Sequence, residues 1–308
     1  MIGVFFSGRF GNQLFQYAYA RYLRWLRGDK EPMLFNFYMV TSGGSSNDGF
    51  EDKLKHLKVL PYKTLTNMGM MLRLGSIKQK IAYTAFRFSH PENSEALVRR
   101  LLQYGILRDV CEPRASSGEV NTDILSHKDL FLSGYFQETD YLKEIRPLLL
   151  DELTPVADVL PHNRELMRSI VSSNAVCVSI RRGDYLSPSN KDAFYVCDKS
   201  YFDKAIQKME TLIDNPTFVF FSNDIDWVRR NIHVDAPCLY ERGDDPEWET
   251  IRLMYNCKHF IISNSTFSWW AQFLCRNEEK IVVSPDRWYN IPEWSNSLIE
   301  SAFIKIPS

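Results

Sequence analysis

Apolar and polar positions along this 308-residue chain follow the pattern of a parallel α/β protein. Short runs rich in β-branched and aromatic residues alternate with segments whose apolar positions recur at helical spacing. The first run covers residues 2–6, and it is followed by a helix face formed by Leu14, Phe15, Ala18, Tyr22 and Leu26. A strand, a turn and a helix therefore open the chain.

The C-terminal half contains further apolar runs at residues 175–180, 217–221, 259–262 and 280–283. Each run is continuous, which is typical of strands buried on both faces of a sheet. Between the halves, the segment DELTPVADVLP at residues 151–161 has two prolines and polar flanks, as in an interdomain connection. We therefore predict two α/β domains, residues 1–155 and 156–308, and leave open that the last segment packs back on the first domain.

The composition, with 44% hydrophobic and 24% charged residues, is that of a globular protein with well-formed cores. The formal net charge of −1 offers no general attraction for nucleic acid, so an anionic ligand must meet a local cluster of cations. The six cysteines show neither Cys-x-x-Cys nor paired Cys/His spacing. This spacing indicates reduced thiols rather than disulfides or a zinc site.

The first residues lack the basic start of a secretory signal, and no stretch approaches the ~18 apolar residues that span a bilayer. We expect a cytoplasmic protein and leave peripheral contact at the inner membrane open. Residues 63–108 bear on this point, because they contain eight Lys or Arg against Glu92 and Glu95, with apolar residues interleaved. They predict either solvated helices, which we favour, or a surface that rests on an anionic membrane or a lipid-linked acceptor.

Ligands of open α/β sheets bind at the carboxyl ends of the strands, so the residues that follow each apolar run are informative. These segments are polar: SGRFGNQ at residues 7–13, RRGDY at 181–185, SND at 222–224 and SNST at 263–266. Arg181 and Arg182 give the strongest signal, because two guanidiniums fixed at the end of a buried strand suit a diphosphate. The alternative is that Arg182 only pairs with Asp184.

The SNST turn precedes an apolar segment in which Phe267, Trp270, Ala271 and Leu274 have helix-face spacing. We expect a helix to begin near Ser265 and Thr266, where the helix dipole and the N–H groups of the first turn favour an anion. The alternative is that Ser263 or Ser265 serves only as an N-cap. We interpret the two tryptophans of this segment as core residues.

Five blocks of sequence occur in a characteristic order: GRFGNQLFQYAYARYL, SGYFQETDYL, VSIRRGDYL, FFSNDIDW and ISNSTFSWWAQFL. They closely resemble the blocks of glycosyltransferase family 11, the α-1,2-fucosyltransferases, and the resemblance extends from Gly8 to about Trp288. It implies a GT-B-like fold, in which two Rossmann-type α/β domains face each other across a cleft. The N-terminal domain would be on the acceptor side, and the C-terminal domain would bind a GDP-sugar without a metal.

On this resemblance, the catalytic candidates are Arg181 and Arg182, near the β-phosphate, and Asp184, either as a base or as a partner that orients Arg182. Donor contacts would come from a larger set: Arg9, Gly11, Asn12, Gln13, Ser179, Asn223, Asp224, Glu249, Ser265, Thr266 and Phe267. Glu249 would select guanine by accepting hydrogen bonds from N1–H and the 2-amino group. The alternative is a glutamate on a helix surface.

The chain departs from the family pattern at Ser179, where the family has a histidine two residues before the arginine pair. Serine can donate to a phosphate, but it carries no charge near neutral pH. Asp224 and Asp226 also spell the Asp-x-Asp of metal-dependent glycosyltransferases. We interpret them as helix-capping carboxylates, because they stand at the start of the predicted helix DIDWVRRNI.

The resemblance implies an inverting, metal-independent transfer of L-fucose from GDP-fucose to the 2-hydroxyl of a terminal β-galactoside in a surface glycan. Two arginines and a helix N-terminus would stabilise the charge on the departing GDP. Two alternatives stay open: a transferase of the same architecture that uses another GDP-sugar, and a non-catalytic glycan-binding protein.

Overall fold

The structure, a computed structural model, describes residues 1–42, 51–88, 101–108, 122–294 and 296–308. The chain forms two compact units, Met1–Glu152 and Leu153–Ser308, and each is built on a parallel sheet. The roles predicted for the two halves, acceptor side and donor side, stay predictions. Glu92, Glu95 and Cys111, which entered the sequence predictions, lie outside the described residues.

The sheet of the N-terminal unit has the strand order β3-β2-β1-β5-β4. Its strands are β1 Ile2–Phe5, β2 Met33–Asn36, β3 Tyr62–Thr64, β4 Ile106–Arg108 and β5 Leu130–Ser133. The helices of this unit are α1 Phe10–Arg27, α2 Tyr38–Ser42, α3 Asn67–Arg73, α4 Ile77–Phe88 and α5 Asp140–Glu152. Because β1 is the central strand, the turn that follows it lies at the middle of the sheet's carboxyl edge.

The predicted opening of strand, turn and helix is confirmed. Leu14, Phe15 and Ala18 are completely buried, and Tyr22 nearly so, on the face of α1 that the spacing predicted. The prediction that Leu26 belongs to this buried face is wrong, because Leu26 is 38% exposed. The buried residues of α1 stop at Leu23, one turn before Gly28 ends the helix in a left-handed conformation with φ 66°.

The sheet of the C-terminal unit has the strand order β11-β10-β9-β6-β7-β8. Its strands are β6 Asn174–Ile180, β7 Pro216–Ser222, β8 Cys238–Tyr240, β9 His259–Ile261, β10 Val282–Pro285 and β11 Ile304–Ile306. The helices are α6 Arg164–Ser172, α7 Lys191–Phe194, α8 Lys199–Glu210, α9 Ile225–Asn231, α10 Glu247–Tyr255 and α11 Thr266–Leu274. Short 3₁₀ turns connect several of these elements, and one of them, Gly183–Leu186, follows β6.

The continuous apolar runs of the C-terminal half form strands as predicted, although β10 is displaced by two residues along the sequence. Strand β10 begins two residues after the predicted start at 280, because the amide of Ile281 donates to His259 Nδ1, 3.1 Å away, instead of to a ladder carbonyl. The last segment, whose packing the sequence left open, supplies β11 and pairs with β10. It therefore completes the edge of the C-terminal sheet.

The predicted connection at residues 151–161 starts too early, because α5 continues through Glu152. The Glu152 carboxylate accepts hydrogen bonds from Tyr17 Oη at 2.5 Å and from Arg21 Nε at 2.9 Å. These bonds hold the end of α5 on α1, so the connection begins after the helix. It ends at a 3₁₀ turn, Pro161–Asn163, that leads into α6.

Two further predictions concern thiols and membrane spans. Cys177, Cys197, Cys238, Cys257 and Cys275 are free, which confirms the interpretation as thiols for these positions. In the part of the chain that the structure describes, every helix is too short or too polar to cross a membrane.

Candidate functional site

The polar segments that follow β6, β7 and β9 lie at one edge of the C-terminal sheet. Strand β6 is hydrogen-bonded to β7 on one side and to β9 on the other, and all three run parallel. Their carboxyl ends therefore bring together residues 181–187, 222–224 and 263–266. This is the edge at which parallel α/β sheets bind ligands, and it is where the sequence predicted a site.

Arg181 is held by the loop that directly follows it. Its Nη2 donates to Asp184 Oδ1 at 2.6 Å, and its guanidinium carbon lies 5.7 Å from the centre of the Tyr185 ring. About a quarter of the side chain is exposed. A guanidinium has five N–H donors, and this bond uses one of them, so an oriented cation at the strand end can address an anion.

Arg182 is held by a different element. Its guanidinium carbon lies 3.6 Å from the centre of the Trp227 ring, and its Nε donates to Asp224 Oδ2 at 3.2 Å. The alternative that Arg182 pairs with Asp184 is therefore wrong, because Asp184 binds Arg181 instead. A separate acid and a separate aromatic ring therefore fix each of the two cations.

Asn223 joins the ends of β6 and β7. Its Oδ1 accepts from the backbone N–H of Arg182 at 3.0 Å. The next residue, Gly183, has a φ of 22°. A Cβ atom at this position would lie 2.0 Å from Asn223 Nδ2, which is too close. The contact between Asn223 and the backbone after the arginine pair therefore requires glycine at position 183.

The Gly183→Ala substitution should lower the free energy of unfolding by about 2–3 kcal/mol, because the new methyl group displaces Asn223 and the backbone of Arg182 with it. Gly28→Ala is a matched control, since Gly28 also has a positive φ, 66°, but nothing lies within 4 Å of its Cβ position. It should cost about 1 kcal/mol from conformation alone. Urea unfolding checks both values, and equal losses would contradict the contact described here.

Asp224 caps helix α9, as the sequence predicted. Its Oδ1 accepts from the Trp227 amide at 3.2 Å, and its own amide donates to Ser222 Oγ at 3.0 Å. Asp226 lies in the first turn of the same helix. The carboxylate of Asp224 therefore serves both as a helix cap and as the partner of Arg182.

Ser179 takes part in a buried cluster of hydroxyls. Its Oγ lies 2.6 Å from Ser268 Oγ, which in turn lies 3.2 Å from Ser263 Oγ. Ser179 is only 7% exposed. The residue at the family's histidine position thus ties β6 to helix α11, and a phosphate contact there would compete with this bond. Ser268 was not predicted as a site residue, although it lies within the block ISNSTFSWWAQFL.

The SNST turn is held from three directions. Asn264 Nδ2 donates to the carbonyls of Phe194 and Trp288, both at 2.9 Å, and the Asn264 carbonyl accepts from Tyr185 Oη at 3.0 Å. Asn264 was not predicted as a site residue. Its burial and its long-range partners make it the residue that fixes the turn.

Helix α11 starts from this turn. Ser265 is its N-cap residue by position, but its side chain makes no capping hydrogen bond, so the interpretation as a side-chain cap is wrong for this residue. Thr266 and Phe267 are half-buried in the first turn. Trp269 and Trp270 have no exposed surface, which confirms that the tryptophans are core residues. The remaining turns are buried on every side, so the single apolar face predicted for this helix was too narrow.

A sequence model of glycosyltransferase family 11 matches residues 113–305, which is more than half of the chain. The chain belongs to glycosyltransferase family 11. The resemblance in the five sequence blocks is thereby confirmed at the level of the family. A family match of this extent favours an enzyme over the non-catalytic glycan-binding alternative.

Three curated transferases are similar in sequence to this family 11 glycosyltransferase. The O-antigen biosynthesis glycosyltransferase WbnK of Escherichia coli is 28% identical over 293 residues, which cover 92% of this chain and 93% of WbnK. An alpha-1,2-colitosyltransferase of Escherichia coli is 31% identical over 170 residues, 52% of this chain and 56% of that protein. The galactoside alpha-(1,2)-fucosyltransferase 2 of Mus musculus is 27% identical over 183 residues, 56% of this chain and 50% of that protein.

Solved structures identify the fold. NodZ alpha-1,6-fucosyltransferase, soaked with GDP-fucose, matches with a TM-score of 0.54 at 10% identity, over 92% of this chain and 94% of NodZ. A mutant of Arabidopsis thaliana FUT1 in complex with GDP matches with a TM-score of 0.50 at 12% identity, over 93% of this chain and 71% of that one. The predicted GT-B-like fold with two Rossmann-type α/β domains is confirmed.

Glu249 of the glycosyltransferase has no exposed surface, so the alternative of a surface glutamate is wrong. Its Oε1 accepts from the Leu160 amide at 2.9 Å and from Asn163 Nδ2 at 3.2 Å. Arg252 Nε lies 3.4 Å from Oε2. The carboxylate thus anchors the segment that precedes α6 through Oε1, whereas Oε2 accepts no hydrogen bond from the described residues. The predicted contact with guanine stays a prediction.

A second buried acid, Glu241, directly follows β8. Its Oε2 accepts from the Gly243 amide at 2.8 Å, and the acid Asp245 lies close enough to influence its pKa. Asp245 in turn lies 2.7 Å from both His162 Nε2 and Asn163 Nδ2. Burial, reinforced by Asp245, raises the pKa of Glu241 to about 7. Although burial alone would raise the pKa of Asp245, the hydrogen bonds from Asn163 and His162 lower it.

The raised pKa of Glu241 predicts a stability that declines with pH. Between its ordinary pKa of 4.5 and about 7, the folded protein keeps a proton that the unfolded chain has released, so the folded state loses its advantage as the pH rises. We expect this group to remove roughly 2 kcal/mol of the free energy of unfolding between about pH 5 and about pH 8. Glu241→Gln, which stays neutral and still accepts from Gly243, should flatten this decline.

Urea unfolding at a series of pH values measures the effect, with the exposed Glu165→Gln as the control that should leave the slope unchanged. An identical pH slope in wild type and Glu241→Gln would show that another group causes the decline.

The predicted donor contacts of the N-terminal unit lie at the N-cap and in the first residues of α1. Arg9 is the N-cap residue of α1 by position, and Gly11 is buried in the first turn. Asn12 Oδ1 accepts from Gln137 Nε2 at 3.1 Å. Gln13 is completely buried, with its Nε2 donating to the Glu51 carbonyl at 2.9 Å and its Oε1 accepting from the Lys53 amide at 3.0 Å. Gln13 therefore fastens the segment at residues 51–53 to the helix.

Gln16, which was not predicted as a site residue, connects two turns of the N-terminal unit. Its side chain donates to Ser7 Oγ and to the Gly134 carbonyl, and it accepts from the Ser7 amide. It joins the turns after β1 and β5, which lie side by side in the sheet. In the sequence, the signal that could have identified it is a glutamine surrounded by apolar residues in a predicted helix. The structure shows that this glutamine is completely buried and hydrogen-bonded.

Proposed function

We propose that this family 11 glycosyltransferase transfers L-fucose from GDP-fucose to the 2-hydroxyl of a terminal galactoside, with inversion and without a metal. The observation that carries the proposal is the pair of braced guanidiniums at the carboxyl end of β6, next to the first turn of α11. Such an arrangement suits a diphosphate. The names of the mouse relative and of the NodZ structure support the choice of fucose.

In the proposed reaction, the residues at the carboxyl edge of the C-terminal sheet stabilise the leaving group. Attack of the acceptor hydroxyl at the anomeric carbon breaks the bond to the β-phosphate oxygen, and GDP leaves with an added negative charge. Preorganised cations that are already paired and stacked can stabilise this charge without having to reorganise. Arg181 and Arg182 would take this role, assisted by the backbone of Ser265, Thr266 and Phe267.

Asp184 was predicted as the candidate base. Its carboxylate is bonded at 2.6 Å to the guanidinium of Arg181. We therefore propose that Asp184 positions Arg181, and that the base for the acceptor hydroxyl is a different group.

The wider setting of the reaction is also a proposal. WbnK carries O-antigen biosynthesis in its name, so we propose that the acceptor is a β-galactoside terminus of a surface polysaccharide or O-antigen precursor, which can be lipid-linked. Precursors of this kind and GDP-sugars are available in the bacterial cytoplasm, and we propose that the enzyme works there.

The proposal is tested by measuring transfer from GDP-fucose to a lactose-type acceptor in EDTA, with GDP-mannose as the competing donor. We expect acceptor-dependent GDP release that is selective for GDP-fucose, and a product in which nuclear magnetic resonance shows a 2-linked α-fucose. A strict requirement for Mn²⁺ would overturn the metal-independent mechanism and return attention to Asp224 and Asp226. Failure to bind GDP would overturn the nucleotide site itself.

A second donor is favoured by one observation, the 31% identity to an alpha-1,2-colitosyltransferase. Colitose is fucose without the 3-hydroxyl, so a site with room for fucose also has room for colitose. GDP-colitose belongs in the same assay, and a kcat/KM at least tenfold higher than that for GDP-fucose would assign colitose as the donor sugar.

A further inference from the structure

The segment at residues 53–91 has a charge unlike that of the rest of the chain. It contains no Asp or Glu, and its basic residues are Lys53, Lys55, Lys58, Lys63, Arg73, Lys78, Lys80 and Arg87. The whole chain, by contrast, has a net charge of −1. Lys53 and Lys55 pair with Glu51, just before the segment begins. The positive charge is therefore concentrated on one stretch of the N-terminal unit.

Helices α3 and α4, which lie in this stretch, also expose large apolar side chains. Met68 and Leu72, one turn apart on α3, are 59% and 67% exposed. Ile77 and Ile81, one turn apart on α4, are 77% and 64% exposed. Single exposed apolar residues are ordinary on protein surfaces, but here each of two consecutive helices has a pair on one face.

Helix α4 is apolar on two opposite faces. Its inner face buries Ala82, Tyr83 and Phe86 in the core of the N-terminal unit. Core packing thus accounts for that face, whereas Ile77 and Ile81 lie outside the core that the described residues form. In helical projection, Lys78 falls on one side of the outer pair and Lys80 on the other.

We propose that the α3–α4 surface, defined by Met68, Leu72, Arg73, Ile77, Lys78, Lys80 and Ile81, docks on the negatively charged surface of a lipid bilayer. Isoleucine, leucine and methionine would enter the boundary between headgroups and acyl chains, and the flanking cations would meet anionic headgroups. A second copy of this chain fits less well, because two such surfaces would repel each other. The proposal does not depend on which donor sugar the enzyme uses.

The test is co-sedimentation of the full chain with vesicles of phosphatidylcholine alone and of phosphatidylcholine mixed with anionic phosphatidylglycerol. We expect wild type to bind the anionic vesicles and to be released by high salt. Ile77→Gln/Ile81→Gln should weaken binding about tenfold through lost apolar insertion, and Lys78→Gln/Lys80→Gln about tenfold through lost charge. Glutamine is a good helix former, so α4 should persist in both variants.

Matched controls come from exposed positions of the C-terminal unit: Val171→Gln/Leu212→Gln for apolar loss, and Lys204→Gln/Lys208→Gln for charge loss. Neither control should change vesicle binding, and thermal unfolding should confirm that every variant is folded. Wild type that stays in the supernatant with anionic vesicles would overturn the proposal, as would undiminished binding of the isoleucine variant. Sedimentation velocity that shows a dimer lost in the isoleucine variant would assign the surface to a second copy instead.

Discussion

Replacing Arg181 with alanine should lower kcat/KM for sugar transfer by about 10²–10³-fold and leave the fold intact. The side chain stands at the end of β6, a quarter exposed, and its pairing with Asp184 orients the guanidinium before any ligand arrives. On the proposed function, its loss removes a charge-assisted contact to the leaving diphosphate, and it leaves little buried surface uncovered. Initial rates of acceptor-dependent GDP release, together with thermal unfolding, measure the two quantities separately.

The matched control is Arg242→Ala, an arginine of the same unit whose side chain is 57% exposed. It should keep transfer within about twofold of wild type, as expected for a surface charge outside the site. If kcat/KM of Arg181→Ala falls by less than tenfold, Arg181 does not contact the phosphates as proposed.

Asp184→Asn separates two roles for the carboxylate. If Asp184 only positions Arg181, transfer should fall about tenfold and the pH profile should keep its shape, because the amide oxygen still accepts from the guanidinium. If Asp184 is the base, the loss should approach that of Arg181→Ala and the acidic limb of the profile should disappear.

The location of this site could be predicted from the sequence, because it depends on short-range signals. Continuous apolar runs indicate parallel strands, and parallel strands place the residues after each run at one edge. Asp224 as a helix cap follows from the same local information, since the capping bond spans three residues. These features needed no knowledge of how distant segments meet.

The pairing within the site could not be predicted in the same way. Spacing alone allowed Asp184 to reach either arginine, and the 3₁₀ turn Gly183–Leu186 directs it to Arg181. The bonds of Ser179 to Ser268 and of Leu160 to Glu249 each join residues 89 positions apart. Contacts of this range follow from the packing of whole helices against the sheet, which leaves no periodic trace in the sequence.

Glu249→Ala should lower the free energy of unfolding by about 3 kcal/mol, the second large effect that the structure predicts. The substitution leaves the Leu160 amide, the Asn163 side chain and the Arg252 guanidinium without their common buried partner. Arg252 also donates to the Ala157 carbonyl at 2.5 Å, so the whole segment before α6 loses an anchor. Urea unfolding measures the loss, and Glu278→Ala, at an exposed position of the same unit, should change stability by less than about 0.5 kcal/mol.

A second variant, Glu249→Gln, decides whether Glu249 also binds the guanine base. An anchoring carboxylate predicts that Glu249→Gln, which retains an oxygen for the Leu160 amide, recovers part of the lost stability and binds GDP over ADP with wild-type preference. A guanine-reading carboxylate predicts that Glu249→Gln keeps its stability and loses that preference, because the amide cannot accept two hydrogen bonds side by side from guanine. Since the side chain has no exposed surface and its Oε1 already accepts two hydrogen bonds, we expect the first outcome. The selection of guanine would then rest on other residues of the C-terminal unit.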